Sequence, residues 1–347
     1  MLLPRVEKYR PDTLSDVSGH EDILQTINRF VATNRLPHLL FYGPPGTGKT
    51  STILALARHI YGAKNVRQQV LELNASDDRG IDVVREQIKT FASTRQIFGG
   101  VAGKGDGLGG FKLIILDEAD AMTSAAQNAL RRIMEKYTAN TRFCIIANYT
   151  HKLSAALLSR CTRFRFSPLP VLALRRRVDH VVTEEGVRIT PGAVDALLKL
   201  SRGDMRRSLN VLQACFASST PLDGKGHPDP TLEREEITES HIYDCIAAPH
   251  PEDIRQIVNT LLESDITTSL RTIHDIKTKK GLALADILSA LGEELCRLDV
   301  PTQTRVIWME GLAEIEWRVG SGGGESVQTG GLAGVVRQGV AVMKNKK

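Results

Sequence analysis

The stretch Leu39-Leu40-Phe41-Tyr42-Gly43-Pro44-Pro45-Gly46-Thr47-Gly48-Lys49-Thr50 decides the fold. Its apolar opening reads as a strand, a helical pattern starts at Ser51, and a glycine loop ending in Lys-Thr joins the two. A loop of this kind wraps its backbone N–H groups round a phosphate, and the helix N-terminus behind it adds positive field. Gly43 through Ser51 are the expected cradle. Lys49 is expected to neutralise the β- and γ-phosphates of a nucleoside triphosphate, and the Thr50 hydroxyl to ligate Mg²⁺. The same spelling also occurs in loops that bind nothing; a strand before it and a helix after it argue against that.

Outward from the loop, apolar runs rich in β-branched residues recur at Val70–Asn74, Leu113–Leu116, Phe143–Ala147 and Arg163–Phe166, alternating with helical patterns. With Leu39–Tyr42 they predict a parallel five-stranded sheet covered on both faces, an α/β domain over residues 1–168. After Pro168 and Pro170 the strand-like runs stop. Amphipathic stretches at Ala193–Leu200 and Met205–Ala217 predict a small helical domain over residues 169–248. An all-helical region over residues 249–347 follows, interrupted by Gly320–Gly324 as a helix-to-helix connection. Gly99–Gly110 and Thr220–Pro230 read as surface excursions, and Lys344–Lys347 as a frayed, solvated end.

Composition sets the outer bounds. A chain of 347 residues with 41% hydrophobic content has room for more than one packed core. No apolar run approaches the roughly 20 residues of a membrane span, and the first residues turn charged too early for a secretory signal. A cytosolic or nuclear protein with no membrane partner is expected. The five cysteines, Cys144, Cys161, Cys215, Cys245 and Cys296, are scattered without Cys-x-x-Cys pairs, so they read as reduced thiols, mostly in the core. A net charge of +5 permits a nucleic-acid partner without arguing for one.

Two further strand ends carry chemistry. The run Leu113–Leu116 ends in Asp117-Glu118-Ala119-Asp120. A carboxylate at that place suits the Mg²⁺ water shell, which assigns Asp117, and Glu118 beside it is placed to polarise an attacking water. Hydrolysis is implied, because a protein that merely holds a nucleotide has no need of the second carboxylate. Asn148 follows Phe143–Ala147, where polar residues line the crevice of an open α/β sheet. Alone it would be an ordinary turn residue. Arg160, in Ser159-Arg160-Cys161, is a candidate arginine finger, and Arg206, in Gly203-Asp204-Met205-Arg206-Arg207, a candidate phosphate contact; singly, both would be surface charges.

Together these motifs, with Val6-Glu7-Lys8-Tyr9-Arg10-Pro11 and Glu72-Leu73-Asn74-Ala75-Ser76-Asp77-Asp78-Arg79-Gly80-Ile81, resemble the AAA+ ATPases, and more narrowly the small subunits of replication factor C, the eukaryotic sliding-clamp loader. The resemblance covers essentially the whole chain. Phe91–Arg95 and Lys277–Leu284 are most similar to one particular small subunit. The resemblance implies an ATPase with ATP and Mg²⁺ as ligands, in the nucleus, within a heteropentamer that loads the clamp, proliferating cell nuclear antigen, onto primer-template DNA. It implies that Val6, Tyr9, Arg10 and Pro11 line the adenine pocket, that Asn148 and Arg206 are the two nucleotide sensors, and that Arg160 acts in trans on a neighbour's nucleotide. Residues 169–248 would be a lid and residues 249–347 a collar through which subunits join. The family usually has Trp where this chain has Arg5, and the insertion Gly99–Gly110 is longer than the family's turn.

A helix beginning near Gly80 would place Ile81, Arg85 and Lys89 on one face, with Arg79 at its start; such a face suits phosphate tracking without base reading. Gln96, Ile97 and Phe98 fall in the part that faces the clamp in the family. Against this reading stand another AAA+ ring such as a branch-migration motor, an unfoldase, for which no aromatic pore loop stands out, an ATP-holding scaffold with little turnover, and a DNA-binding protein that is no ATPase.

Overall fold

The computed structural model describes residues 8–33, 35–75, 81–93, 111–220 and 235–344, the side chains of Ser15 and of residues 81–85 excepted. Leu39–Tyr42 forms β1, and Val70–Asn74, Lys112–Asp117, Thr141–Ala147 and Thr162–Arg165 form β2 to β5. They make one parallel sheet in the order β2-β3-β4-β1-β5. The expected strands are all present, two of them extended and the last ending one residue earlier. Register puts Tyr42 level with Ala147 and Arg165, and Asn74 level with Asp117, so the strands' C-terminal ends share one edge.

Alternation along each strand divides the core in two. Leu39, Phe41, Leu113, Ile115, Cys144 and Ile146 pack on one face with α1 (Glu21–Ala32) and α2 (Lys49–Gln69). Leu40, Ile114, Leu116, Phe143, Ile145 and Ala147 pack on the other with α3 (Ile81–Ser93), α4 (Ser124–Tyr137) and the short α5 (Ala155–Leu158). A buried Leu, Ile or Phe contributes roughly 1.5–3 kcal/mol, so this two-sided burial is what fixes the sheet. Thr123 starts α4 by accepting a hydrogen bond from the Ala126 amide. Helix α2 is broken at Gly62, which has φ +72°.

The chain divides into two compact units, the first holding residues up to Ile189 and Leu197–Ala217, the second Thr190–Ala196 and everything from Ser218. After β5 come α6 (Val171–Glu184), α7 (Pro191–Ser201) and α8 (Met205–Ser218). Helix α8 thus belongs with the sheet's unit. The second unit contains α9 (Glu239–Ile246), α10 (Pro251–Glu263), α11 (Ile266–Lys280), α12 (Leu284–Arg297), α13 (Thr302–Gly320) and α14 (Glu325–Lys344). Its core runs from Ile254 to Val340 around the fully buried Trp308, whose Nε1 donates to the Val336 carbonyl at 3.1 Å. A Cβ on Gly339 would stand 2.1 Å from that Nε1, so the glycine permits the approach of α13 and α14. Lys344 is still helical, which corrects the expectation of a frayed end there; residues 345–347, like the excursions at 99–110 and 221–230, lie outside the described residues. Only Cys144 and Cys215 are fully buried; Cys245 and Cys296 are exposed, because each falls on the outer side of its helix. Among the described residues no helix is long and apolar enough to cross a membrane.

His38 links packing to pH. It precedes β1, is buried, and its Nδ1 accepts a hydrogen bond from the Phe143 amide at 3.2 Å. Burial, helped by the Arg142 charge, lowers its pKa from 6.5 to about 4. Between those values the unfolded chain binds the extra proton, so stability is full above pH 6.5 and falls as pH drops through the window. The expected loss is roughly 3 kcal/mol. Urea unfolding followed by circular dichroism from pH 7 to 4 should show that slope, and His38→Gln should flatten it.

Candidate nucleotide site

The loop after β1 turns on three glycines, Gly43 at φ +142°, Gly46 at +68° and Gly48 at +94°. A Cβ on Gly43 would stand 1.9 Å from the Phe166 carbonyl oxygen, and one on Gly46 would stand 1.6 Å from Asp204 Oδ1. At Gly48 nothing is near, so backbone conformation alone selects glycine. Gly48 caps α2, and Lys49 and Thr50 are its first helical residues. The helix therefore starts two residues earlier than Ser51, because the left-handed glycine ends the loop there. Thr47 Oγ1 donates to the Pro44 carbonyl at 2.9 Å, and the Met205 amide donates to the Gly46 carbonyl at 3.1 Å.

Lys49 is buried, and its Nζ donates to the carbonyls of Gly43 and Pro44, each at 2.8 Å, and to Asn148 Oδ1 at 3.0 Å. Burial lowers its pKa from 10.5 to about 8, against the pull of Asp117. Thr50 Oγ1 donates to Asp117 Oδ2 at 2.7 Å, and Asp117 Oδ1 accepts from the Glu118 amide at 2.8 Å. Glu118 is exposed and sits at φ +53°, a left-handed conformation that is costly for a residue with a side chain. The Asn148 amide donates to Asp120 Oδ1 at 3.4 Å.

Asp117, Glu118 and Asn148 line one cleft together with Pro45–Ser51. Tyr9, Arg10 and Pro11 line it as well, as does Arg206 on α8, whose charge acts on Lys49. The structure thus brings together Tyr9, Arg10, Pro11, Lys49, Thr50, Asp117, Glu118, Asn148 and Arg206; Val6 lies outside the described residues. Asp16, Val17, Ser18, Leu169, Arg177 and Leu209 also line the cleft and carried no sequence signal; Met205, of the Gly203–Arg207 motif, lines it too. Arg177 is the last of three consecutive arginines, and only the fold singles it out.

Arg160 does not line this cleft. Its guanidinium donates to the Ala156 carbonyl at 2.6 Å and pairs with Glu135 on α4. Helix α3 does begin at Ile81, with Lys89 exposed and Ile88 buried against α4, whereas Arg79, Gln96, Ile97 and Phe98, and the side chains of Ile81 and Arg85, lie outside the described residues.

The residue set fits a nucleoside triphosphate with a hard cation. The loop's left-handed glycines and the helix N-terminus suit phosphate, and the Thr50 hydroxyl and Asp117 carboxylate are oxygen donors already side by side. Among the described residues no group of three or more His, Cys, Asp and Glu side chains could hold a metal ion.

Fold and site together define a P-loop ATPase. Residues 39–169 match the ATPase family associated with various cellular activities (AAA), and residues 249–335 match the replication factor C C-terminal domain. Replication factor C subunit 3 of Blastobotrys adeninivorans is 58% identical over 336 residues, covering 97% of this chain and 93% of the relative. Replication factor C subunit 5 of Homo sapiens is 51% identical over 330 residues, covering 95% and 90%. The chain belongs to the replication factor C family, as an ATPase subunit of the clamp-loader branch. The Holliday junction branch migration motor RuvB of Thermotoga maritima has the same fold at a TM-score of 0.51 and 14% identity, covering 85% of this chain and 93% of that one. That likeness concerns fold alone.

Lys49 sets a pH dependence. Its ammonium is present below pH about 8 and lost above it, so ATP affinity should fall as pH rises from 7.5 to 9. Calorimetric titration in buffers of different ionisation enthalpy should show proton uptake on binding, and Lys49→Ala should abolish binding.

Proposed function

We propose that this cleft is one half of a shared ATPase site in a nuclear heteropentamer that opens the sliding clamp, proliferating cell nuclear antigen, and loads it onto primer-template DNA. The observation that carries the reading is the position of Arg160. The cleft holds Lys49, Asp117, Glu118, Asn148 and Arg206, while Arg160 stands outside it at an exposed corner. A guanidinium so placed can reach another subunit's nucleotide.

In this reading Lys49 and the loop amides from Gly46 to Thr50 hold the phosphates, and Tyr9, Arg10 and Pro11, with Val6, surround the base. Bound Mg²⁺, held through Thr50 and Asp117, would draw charge from the β- and γ-phosphates. Glu118 accepts the proton of the attacking water, Asn148 orients that water, and Arg206 offsets charge at the γ-phosphate. The neighbouring subunit's arginine supplies the last positive charge. Residues 1–168 serve as the nucleotide-binding domain, residues 169–248 as a lid carrying Arg206, and residues 249–347 as the collar. Arg79, Ile81, Arg85 and Lys89 track the DNA backbone, and Gln96, Ile97 and Phe98 face the clamp.

In the assembled complex Arg160→Ala should leave ATP binding by this subunit intact and slow hydrolysis at the adjacent site by roughly 10³-fold or more. A single chain that hydrolyses ATP at full rate, and loses that rate with Arg160→Ala, would refute the shared site. Reversing the charges of Arg85 and Lys89 should lower DNA stimulation of the ATPase while sparing its basal rate, measured with and without primer-template DNA.

A further inference from the structure

Among the described residues, the Tyr9–Pro11 stretch that lines the cleft follows a helical Lys8 and has no strand or helix of its own. Tyr9 is in a turn and Arg10 and Pro11 are irregular, yet all three line the cleft. A segment without ladder hydrogen bonds depends on side chains to fix its backbone. Here they come from α6. The Arg177 guanidinium donates to the Tyr9 carbonyl at 2.5 Å. Lys8 Nζ and Tyr9 Oη each donate to Glu185 Oε1 at 2.7 Å, just past the C-terminal end of α6. The Tyr9 ring meets His180 edge-on, with centroids 6.1 Å apart at 86°. The segment is thus tied at carbonyl, hydroxyl, ring and neighbouring amine by α6 and the residue that follows it.

Resting on the nucleotide reading above, we infer that Arg177 and Glu185 are positioning residues that hold the Tyr9–Pro11 segment as a preformed base-binding wall. Glu185 does not line the cleft and acts through Tyr9. Its link with Lys8 is largely exposed on the lysine side, at 54% against 19% for the carboxylate, so its loss costs the fold little. Its loss costs binding more. A released segment has to be ordered anew by each incoming nucleotide, and that ordering entropy is subtracted from affinity. The phosphate end does not share this dependence, because Gly43–Thr50 is fixed by β1, Phe166 and Asp204.

The two ends can be separated with two ligands. The purified full-length chain is titrated by calorimetry with ATP and with inorganic tripolyphosphate, which reaches only the loop. Glu185→Ala and Arg177→Ala should each weaken ATP by about tenfold, equivalent to ~1.4 kcal/mol, and leave tripolyphosphate within about twofold. Arg177→Lys, which keeps a donor for the Tyr9 carbonyl, should recover most of the loss. In the assembled complex Glu185→Ala, whose side chain is not part of the cleft lining, should raise KM for ATP with kcat unchanged. Unaltered ATP affinity in Glu185→Ala, or an equal loss for tripolyphosphate, overturns the inference while leaving the nucleotide reading in place. A wild-type chain that binds neither ligand overturns both.

Discussion

A buried ammonium holds the site together. Desolvating Lys49 is expensive, and a chain that buries such a group must surround it with acceptors or let it lose its proton. Both responses are visible: three oxygens accept from Nζ, and the pKa falls to about 8. Two of those oxygens are loop carbonyls that face Lys49 only because Gly43 adopts φ +142° and lies against the Phe166 carbonyl. The third belongs to Asn148, beyond β4. Thr50 ties the next helical residue to Asp117 at the end of β3. Adjacent strands β3, β4 and β1 therefore each deliver one element of a single constellation. Parallel register is what permits this, since a slip of one residue would turn the apolar set of each strand towards the wrong face.

The phosphate end was legible in the sequence for the same reason that it is rigid. Its parts are local: Leu39–Thr50 is one continuous strand, loop and helix, and Asp117, Glu118 and Asn148 each follow an apolar run that could only be a buried strand. The helix start was misplaced because hydrophobic periodicity begins at Ser51, while the turn is ended by the backbone of Gly48. At the other end only the family resemblance pointed to Tyr9, Arg10 and Pro11, and the remaining lining residues there were not legible. Asp16, Val17 and Ser18 carry no distinctive chemistry in order, and Arg177 is one of three arginines until α6 is set beside Tyr9. Contacts separated by well over 100 residues have no local signature. The grouping of α8 with the sheet has the same origin: composition marks it as one more amphipathic helix, and its place follows from the Met205 amide reaching the Gly46 carbonyl.

The same division bears on Arg160. The motif around it was readable, and so was its chemistry; its action on a neighbour's nucleotide is implied by the family resemblance alone. Its carboxylate partner, Glu135, lies on α4, and both side chains are more than a third exposed, at 34% and 44%. A pair so hydrated is worth about 0–1 kcal/mol, enough to orient a guanidinium and too little to withhold it from a stronger anion. On the shared-site reading, a triphosphate presents several acceptor oxygens to the planar donors of arginine, so exchange of Glu135 for phosphate is favourable once a second nucleotide comes within reach. The fold thus keeps Lys49 buried and committed, and the Arg160 guanidinium loosely held at the surface. On the shared-site reading that asymmetry separates the two steps in space: binding belongs to one chain, and turnover waits for the next.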